Sequence, residues 1–465
     1  MTRRDILSLP FLRFETSEGG RPAAGKVYRF HHDHVLGTSL ELVVVASCSA
    51  EADEAERALF REIERLRQVL STYDAKTEIS RLNASQGTFR CSQDLFAVLS
   101  AYDCWSARTG GAISAALSPG EPVRVNYRDG IVSRRLRAGL LNVDALGKAY
   151  ILDRAALAAR RAHGVTAVLL NIGGDVVVSG AEPRRIGIAD PACPHENGAL
   201  LGCVTLKNGA VATSGGYERQ VAIGGRSFSH IRDPRTGEPA DSGRSATVIA
   251  RDSVTANALS TALCVLEPSE GLRLVGRTPN AECLLITADG TEYHSPGFPG
   301  YRLRGLRPVS TPAGWPAGYA VSITLTLKMT ENRPMRRPYV AIWAEDSKGN
   351  CVRTIALWTS ARNRWLPDLH AWYAANHQSE PESVSRATRP PGRYRLAWDG
   401  LDDRGRPVPA GTYRITVETN RQDGDYNKQS GLLLCDGTKR GAITLKETSE
   451  FEAVAVEYAV QGSKA

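Results

Sequence analysis

The clearest pattern in the first part of the chain lies in residues 141–180, LNVDALGKAYILDRAALAARRAHGVTAVLLNIGGDVVVSG. An Ala-rich helix is predicted over residues 145–163, and the continuous apolar run Val165–Asn171 predicts a buried strand directly after it. Paired glycines at positions 173 and 174 then interrupt the strand, which is typical of a tight turn. This order of elements predicts helices packed on a sheet.

Further helices and strands are predicted on both sides of this stretch. Apolar residues recur at three- and four-residue spacing from about Ala52 to Val69, and a similar pattern predicts a helix over Ser92–Arg108. An extended pair is predicted over residues 27–49, a helix over Ser253–Leu266 and a strand over Glu282–Thr287. The alternation of helices and strands indicates an α/β or an α+β domain.

The character of the sequence changes near residue 307. Three Pro and two Gly in RPVSTPAGWPAG (307–318) are typical of a linker. Beyond it, short alternating stretches without a long helix predict a β-sandwich. We therefore expect a flexible segment at 1–26, a first domain at 27–306, the linker at 307–318, and an all-β domain at 319–465.

Composition and charge make several classes of function unexpected. The 465 residues carry 58 Lys and Arg against 50 Asp and Glu, a net charge of +8, and basic residues form only short mixed clusters. A nucleic-acid partner is therefore not expected. No apolar run approaches the roughly 18 residues that a membrane helix needs, so no integral membrane segment is expected. Nine scattered Cys without a CxxC pair indicate small buried residues rather than zinc ligands.

Four segments of the first domain concentrate small, polar and hydroxyl residues where a fold does not need them. They are STYDAKTEISRLNAS (71–85), LNVDALGKAYILD (141–153), LLNIGGDVVVSG (169–180) and VATSGGYERQVAIGGRSFSHIRDPRTGEPA (211–240). Paired glycines let a backbone approach a bulky ligand, and a helix amino terminus with a Lys suits a phosphate. A simple turn explains any one segment, but four in one domain favour a nucleotide-like ligand.

These segments resemble the ApbE family of FAD:protein FMN transferases, which bind flavin and depend on magnesium. The matching words are STYDAKTEISRLN, GKAYILD, NIGGD, TSGGYER, HIRDPRTGEP and NALSTAL, in the family's order over roughly residues 27–305. The resemblance implies an α+β ApbE-like domain that moves the FMN moiety of FAD onto a Thr hydroxyl of an acceptor protein and releases AMP. It also implies a periplasmic location, although Arg3-Arg4 in MTRRDILSLP is only part of an export signal.

The resemblance also implies a set of flavin contacts. Tyr73 matches the aromatic residue that packs on the flavin ring; the alternative is a buried tyrosine at a helix end. Lys148 matches the Lys that faces the pyrophosphate, and Ile231 matches another FAD contact. The departures from the family at contact positions are Leu36 for Met, Asn142 for Asp, and Ala112-Ile113-Ser114 for Ala-Phe-Asp.

A magnesium site is implied by the same resemblance. It uses a backbone carbonyl, matched here by Ala145, and side chains of a D-x-x-[DS]-T helix, matched by Asn257, Ser260 and Thr261. Asn257 and Thr261 share a helix face, but the Asn removes one negative charge from a site for a hard dication. We hypothesise that Asp144, where the family usually has Gly, restores that charge. The alternative is that Asn257 and Thr261 only cap or line a helix.

His230 is the candidate catalytic residue. It precedes Ile231 in a polar turn, and a Thr hydroxyl of very high pKa needs a base of the kind that a near-neutral imidazole provides. Mg²⁺ and Lys148 would stabilise charge on the transferring phosphate. Two alternatives remain open: hydrolysis of FAD to FMN and AMP on the same site, and a flavin-binding protein without turnover.

The carboxy-terminal part offers no catalytic constellation, so partner binding is expected of it. GRYRLAWDGLDDRGRPVPAGTYRITVE (392–418) predicts a strand, an Asp-Gly turn and a strand, with Trp398 and Tyr413 packing a sheet. It resembles immunoglobulin-like hairpins of the flagellar hook-capping kind, and the whole part resembles the predicted-periplasmic domain DUF2271. Residues 367–392 are predicted to form a solvated loop, with metal ligation by His370 and His377 as the alternative.

Overall fold

The structure is a computed structural model that describes twenty stretches of the chain. They are residues 25–85, 87–116, 124–126, 131–134, 140–181, 183–191, 200–215, 220–223, 226–229, 231–240, 245–301, 315–316, 318–328, 337–359, 366–376, 385–389, 391–403, 406–421, 425–437 and 439–460. His230, His377, residues 1–24 and most of the predicted linker lie outside them.

The helices of the first part follow the predicted amphipathic segments closely. They are α1 (Ser49–Leu70), α2 (Glu78–Ala84), α3 (Gln93–Arg108), α4 (Asp144–Arg160), α5 (Ser253–Val265) and α6 (Pro268–Gly276). The buried residues of α1 recur at the predicted spacing, which confirms its amphipathic face. The sequence analysis did not predict α6, a short helix that begins at a proline. Among the described residues, no helix is long and apolar enough to cross a bilayer.

The strands of the first part form one large sheet and three small ones. They are β1 (Lys26–Val35), β2 (Thr38–Ala46), β3 (Gly87–Arg90), β4 (Arg124–Asn126), β5 (Ile131–Arg134), β6 (Val165–Ile172), β7 (Asp175–Gly180), β8 (Arg184–Ala189), β9 (Leu200–Leu206), β10 (Gly209–Gly215), β11 (Gln220–Ile223), β12 (Arg226–Ser229), β13 (Ser245–Ala250), β14 (Glu282–Ile286) and β15 (Glu292–His294). The large sheet has the order β1-β2-β6-β7-β10-β13-β14-β15. Its neighbouring strands pair antiparallel, so the domain is α+β rather than α/β.

Both faces of the large sheet are covered by apolar layers. Helices α1, α3, α4 and α5 bury one face in a large cluster that includes Leu42, Leu59 and Leu170. The β8–β9 hairpin and Phe298 cover part of the other face in a smaller cluster. All residues of β13 are therefore buried. Full burial of each large aliphatic side chain contributes roughly 1.5–3 kcal/mol.

The carboxy-terminal part is mostly β-sheet. Its elements are β16 (Tyr319–Leu327), β17 (Tyr339–Glu345), β18 (Cys351–Thr359), α7 (His370–Asn376), β19 (Ser385–Ala387), β20 (Gly392–Trp398), β21 (Gly411–Asn420), β22 (Tyr426–Cys435), β23 (Gly441–Leu445) and β24 (Val454–Val460). They form a four-stranded sheet, β20-β16-β24-β23, and a five-stranded sheet, β19-β18-β17-β21-β22. One apolar cluster takes residues from both sheets, so the two sheets share a core.

The pairing predicted for residues 392–418 is wrong. β20 pairs with β16 whereas β21 pairs with β17 and β22, so the two strands belong to different sheets. The predicted packing of the two aromatic rings is confirmed. Trp398 and Tyr413 meet edge to face with centroids 5.0 Å apart and an interplanar angle of 88°, a favourable aromatic geometry.

The prediction of a loop at 367–392 is wrong for part of the segment, which contains the helix α7 and the short strand β19. Trp372 of α7 is buried against the apolar residues of β17 and β18. The buried Glu418 carboxylate accepts hydrogen bonds from the N–H groups of Ala371 and Trp372, at 2.8 and 2.7 Å. Packing and this carboxylate stabilise α7, which the polar composition of the segment alone did not reveal.

Candidate active site

The amino terminus of α4 is tied to the turn that carries Tyr73. The Asn142 amide oxygen accepts the Asp144 N–H at 2.8 Å, and the Asn142 amide donates to the Asp144 carboxylate at 3.2 Å. The other carboxylate oxygen of Asp144 accepts a hydrogen bond from the Thr72 hydroxyl at 3.0 Å. These bonds link the residues next to Tyr73 with the first turn of the helix that carries Lys148.

The side chain of Tyr73 is 91% exposed. The turn that carries Tyr73 is stabilised by Thr77, whose hydroxyl lies 2.6 Å from the Ser71 carbonyl oxygen and 2.9 Å from the Asp74 carbonyl oxygen. The alternative of a buried tyrosine at a helix end is therefore wrong. An aromatic ring held out into solvent by an ordered turn presents a face on which a planar ligand can stack.

Asp175 joins two of the predicted site residues. Its carboxylate follows the Gly173-Gly174 turn and is 4% exposed. Lys148 Nζ of α4 lies 2.7 Å from Asp175 Oδ2, and Asn257 Nδ2 of α5 donates to the same oxygen at 3.3 Å. The cluster thus brings together α4, the NIGGD turn and α5. Asp175 lies in the NIGGD motif, but it was not among the site residues expected from the sequence.

The three predicted metal-site residues of α5 differ in their surroundings. Asn257 is 8% exposed, and its Oδ1 atom is buried without a hydrogen-bond partner among the described residues. The Ser260 hydroxyl is buried and bonds the Asn257 carbonyl at 3.1 Å and the Ser214 hydroxyl at 2.8 Å. The Thr261 hydroxyl lies 3.4 Å from Ser214 Oγ. Within the described residues, the Asn257 side chain thus carries a buried oxygen without a partner, whereas the Ser260 hydroxyl is engaged twice.

Asp144 and Asn257 have different partners in the part of the chain that the structure describes. Asp144 bonds Thr72 and Asn142, whereas Asn257 bonds Asp175. The carboxylate next to Asn257 is thus that of Asp175. Ala145, the predicted carbonyl ligand, is exposed in the first turn of α4.

The remaining predicted flavin contacts lie at three places in the first part of the chain. Ala112 and Ile113 are buried, and Ser114 lies next to them with its hydroxyl accepting the Ala116 N–H. This segment adjoins α4 because the Asn142 N–H donates to the Ala115 carbonyl at 2.8 Å. The two other contacts are Ile231, which is buried, and Leu36, which is half-buried at the β1–β2 turn.

The turn after Ile231 has an ordered geometry, although the predicted base His230 lies outside the described residues. The Asp233 carbonyl accepts the Gly237 N–H at 2.8 Å, and Gly237 has a φ of +78°. The guanidinium of Arg235 lowers the pKa of the Asp233 carboxyl through a hydrogen bond. DPRTG therefore forms a tight turn, in which Gly237 takes the left-handed backbone that glycine favours.

Asp153 is a second residue that the sequence analysis did not single out. Its carboxylate accepts the Ser253 N–H at 2.9 Å and the Val254 N–H at 3.3 Å, at the start of α5. Asp252, the helix N-cap, accepts the Thr255 N–H at 2.7 Å. Burial raises the pKa of Asp153 to about 7, and the neighbouring Asp252 charge adds to this shift. Asp153 anchors the helix that carries Asn257 and Thr261.

We expect Asp153→Asn to change how stability depends on pH. Because the folded-state pKa of Asp153 is raised, the contribution of Asp153 to the stability of the wild type falls as pH rises from about 5 to 7, and the Asn variant lacks this loss. The difference in unfolding free energy between the two proteins should therefore shift by about 2–3 kcal/mol over this range in favour of the variant. Urea unfolding at pH 5, 6, 7 and 8 measures it.

Asp289→Asn is the matched control, because this turn carboxyl is exposed and hydrogen bonds lower its pKa, so it titrates below the range. Parallel curves of wild type and Asp153→Asn from pH 5 to 8 would contradict the assignment of a raised pKa to Asp153.

Comparison with protein-family models gives two matches. The model of the ApbE family matches residues 36–123 and 113–285. The model described as "Predicted periplasmic protein (DUF2271)" matches residues 320–453. The two matches fall on the α+β part and on the mostly-β part of the chain.

Curated relatives match the first part of the chain. One, named FAD:protein FMN transferase, from Rhodobacter capsulatus, is 38% identical over 160 residues, which are 34% of this chain and 30% of the relative. Another of the same name, from Escherichia coli (strain K12), is 23% identical over 297 residues, which are 56% of this chain and 84% of the relative. The share of the relative that is aligned thus ranges from under a third to most of its length.

Solved structures resemble the same part. The ApbE protein from Thermotoga maritima superposes with a TM-score of 0.53 at 25% identity, over 60% of this chain and all of that chain. The apo form of the flavinyl transferase ApbE from Pseudomonas stutzeri gives a TM-score of 0.50 at 22% identity, over 60% of this chain and 97% of that one, which supports the fold. The first part therefore has the fold of flavin transferases. With its model matched over more than half of the residues, the chain belongs to the ApbE family.

Proposed function

We propose that this chain is a FAD:protein FMN transferase that needs Mg²⁺, modifies a Thr hydroxyl of an acceptor protein and releases AMP. The observation that carries the proposal is the cluster of Lys148, Asp175 and Asn257, where α4, the NIGGD turn and α5 meet. It offers a cation for a phosphate, and side-chain oxygens of Asp175 and Asn257 for a metal, within one site. Membership of the ApbE family supports the same reaction.

Several described residues suit the binding of FAD. The exposed ring of Tyr73 offers a stacking face for the isoalloxazine. The buried Ala112, Ile113 and Ile231 offer apolar contacts, and the half-buried Lys148 ammonium offers a point charge to the pyrophosphate. Asn142 is already bonded to Asp144 and orders the start of α4. Leu36 and Ser114 complete the proposed contacts.

The residues present also fit a magnesium ion. The buried Oδ1 of Asn257 has no hydrogen-bond partner among the described residues, and it belongs to the side chain that contacts the Asp175 carboxylate. Thr261 lies one turn further along α5. Hard oxygens of Asn257, Asp175, Thr261 and the Ala145 carbonyl would hold the ion, which when bound would neutralise charge on the pyrophosphate. Ser260 would not be a ligand of the ion but would stabilise the helix turn of Asn257 through its hydrogen bond to the Asn257 carbonyl.

In the proposed reaction, the acceptor Thr oxygen attacks the phosphorus of the FMN half of FAD. A new P–O bond forms, the bond to the AMP phosphate breaks, and AMP leaves with the bonding electron pair. His230 takes the proton of the Thr hydroxyl. Lys148 stabilises charge on the pyrophosphate, and Asp175 holds the Lys148 ammonium in place through their 2.7 Å contact.

Chromatography of the nucleotide products tests the proposal. The chain is mixed with FAD, with and without Mg²⁺ and with and without an acceptor that carries a Thr flavinylation motif. AMP should form only when both Mg²⁺ and the acceptor are present, without free FMN. Equal amounts of AMP and free FMN would indicate FAD hydrolysis instead, and FAD binding without AMP would indicate a binding protein without turnover.

We expect Tyr73→Ala to weaken FAD binding by about 10-fold, because stacking on one aromatic ring contributes about 1–3 kcal/mol. Tyr73→Phe should keep the affinity, since the ring remains. Titration of FAD fluorescence measures the dissociation constant. Tyr293→Ala is the control, because Tyr293 is an exposed tyrosine on β15 at the far edge of the large sheet. Equal affinities of wild type and Tyr73→Ala would contradict the stacking role.

For the chain as a whole, we propose the domain boundaries 27–306 and 319–465, with an immunoglobulin-like sandwich in the second domain. The separate apolar clusters of the two parts support this division. A periplasmic location is supported by the description of the DUF2271 model. The second domain would help to recruit the acceptor protein.

A further inference from the structure

The β1–β2 turn, residues 34–37, has a backbone that needs support. His34 has a φ of +58°, Leu36 of +51° and Gly37 of +77°. Left-handed backbone at a non-glycine residue costs roughly 1–2 kcal/mol and persists where surrounding contacts hold it. The β1–β2 register also shifts between His32 and Val35. Leu36, the proposed flavin contact, packs its side chain against the core of the first part.

A residue from the carboxy-terminal part contacts this turn. Arg337 Nη2 lies 2.8 Å from His34 Nδ1, and Arg337 Nη1 donates to the Thr388 carbonyl at 3.3 Å. Thr388 directly follows β19, and β19 packs against β1 and β2. The Arg337 guanidinium thus joins the end of β19 in the carboxy-terminal part to the β1–β2 turn of the first part. Arg337 and His34 are 303 positions apart in the chain.

The protonation of His34 suits this contact. His34 is exposed, but the partial desolvation of its ring, first, and the positive charge of Arg337, second, lower the pKa of His34. The imidazole is therefore neutral at neutral pH, and its Nδ1 can accept a hydrogen bond from the guanidinium. A hydrogen bond from a charged donor is stronger than one between neutral groups. Because His34 is exposed, solvent reduces the stabilisation that this hydrogen bond provides.

We infer that Arg337 is a positioning residue of the flavin site, through which the second domain holds the β1–β2 turn and so sets the affinity for FAD. The inference rests on the proposed function, in which Leu36 contacts the flavin. Arg337 acts through His34: the guanidinium fixes the strained backbone, and the fixed backbone keeps Leu36 in its half-buried position. The second domain thereby contributes to the site without contacting the ligand.

Four variants of the full chain test the inference: Arg337→Ala, Arg337→Lys, His34→Ala and the double variant Arg337→Ala/His34→Ala. FAD dissociation constants are measured by flavin fluorescence, and hydrogen exchange of residues 30–40 is followed without FAD. Each Ala variant should weaken FAD binding by about 3- to 10-fold, the size expected of one charge-assisted bond at a partly exposed position. The double variant should be no weaker than the single ones. Exchange at the turn should be faster in Arg337→Ala.

Arg337→Lys keeps the charge but loses the guanidinium, which donates from two nitrogen atoms. We therefore expect an affinity for FAD between those of the wild type and Arg337→Ala. It also serves if Arg337→Ala does not fold. Arg440→Ala is the matched control, because Arg440 is an exposed arginine with an ion pair to Glu457.

Unchanged FAD affinity and unchanged exchange in Arg337→Ala would overturn the inference, and so would additive effects in the double variant. The proposed function fails separately if the wild type binds no FAD. In that case, faster exchange at the turn in Arg337→Ala would support only the contact between Arg337 and His34. The proposed role of Arg337 in FAD affinity would be overturned.

Discussion

Asp175→Asn is expected to lower kcat/KM for FMN transfer by about 100-fold, the scale of removing a residue that orients a catalytic cation or ligand. Asp175 Oδ2 is shared by Lys148 Nζ and Asn257 Nδ2. The Asn variant keeps the shape of the side chain but removes the charge that holds the ammonium. Lys148 is 27% exposed, so it can turn to solvent and the variant should still fold.

The magnesium dependence adds a second readout for this variant. If Asp175 supplies the negative charge that Asn257 lacks, Asp175→Asn should need a higher Mg²⁺ concentration for half-maximal activity. Steady-state rates over a Mg²⁺ series measure it, with thermal unfolding as the check on folding. Asp289→Asn, on an exposed turn, should behave as the wild type. Rates and magnesium dependence within about twofold of wild type in Asp175→Asn would contradict the role of Asp175, because loss of an orienting group should exceed that factor.

His230→Ala is expected to reduce FMN transfer by about 10²- to 10⁴-fold, the usual contribution of a general base. FAD binding should remain close to that of wild type, because the proposed contacts of the flavin and of the pyrophosphate are other residues. Single-turnover rates and FAD titrations on the same preparation separate the two effects. His163→Ala is the control, since His163 is an exposed surface residue bonded to Glu51. A normal transfer rate in His230→Ala would remove His230 from the mechanism.

The fold of the first part was predictable from local patterns, because apolar spacing along one segment determines which face it buries. The spacing in α1 and the continuous apolar run of β6 located both elements to within a few residues. Strand partners were harder to predict, since alternation gives the buried face of a strand and not its neighbour. For this reason β20 and β21 were expected to pair, although they lie in different sheets.

The candidate site residues Tyr73, Lys148 and Asn257 were named because short motifs resemble those of the ApbE family, and their roles stay proposals. The structure brings Lys148 and Asn257 together at Asp175, and it leaves the Tyr73 side chain exposed. The connecting residues were missed because their partners are distant in the chain. Asp175 bonds Asn257 across 82 positions, and Asp153 bonds the Ser253 N–H across 100 positions. Only the folded chain brings these groups together.

The transfer reaction itself is tested most directly by the intact mass of the acceptor. The chain, FAD and Mg²⁺ are incubated with an acceptor protein that carries the Thr motif, and with the same acceptor after Thr→Ala substitution. We predict that the Thr acceptor gains the mass of one FMN moiety with an equal amount of AMP, while the Ala acceptor stays unmodified. An unmodified Thr acceptor, with FAD intact or hydrolysed to free FMN, would contradict the account.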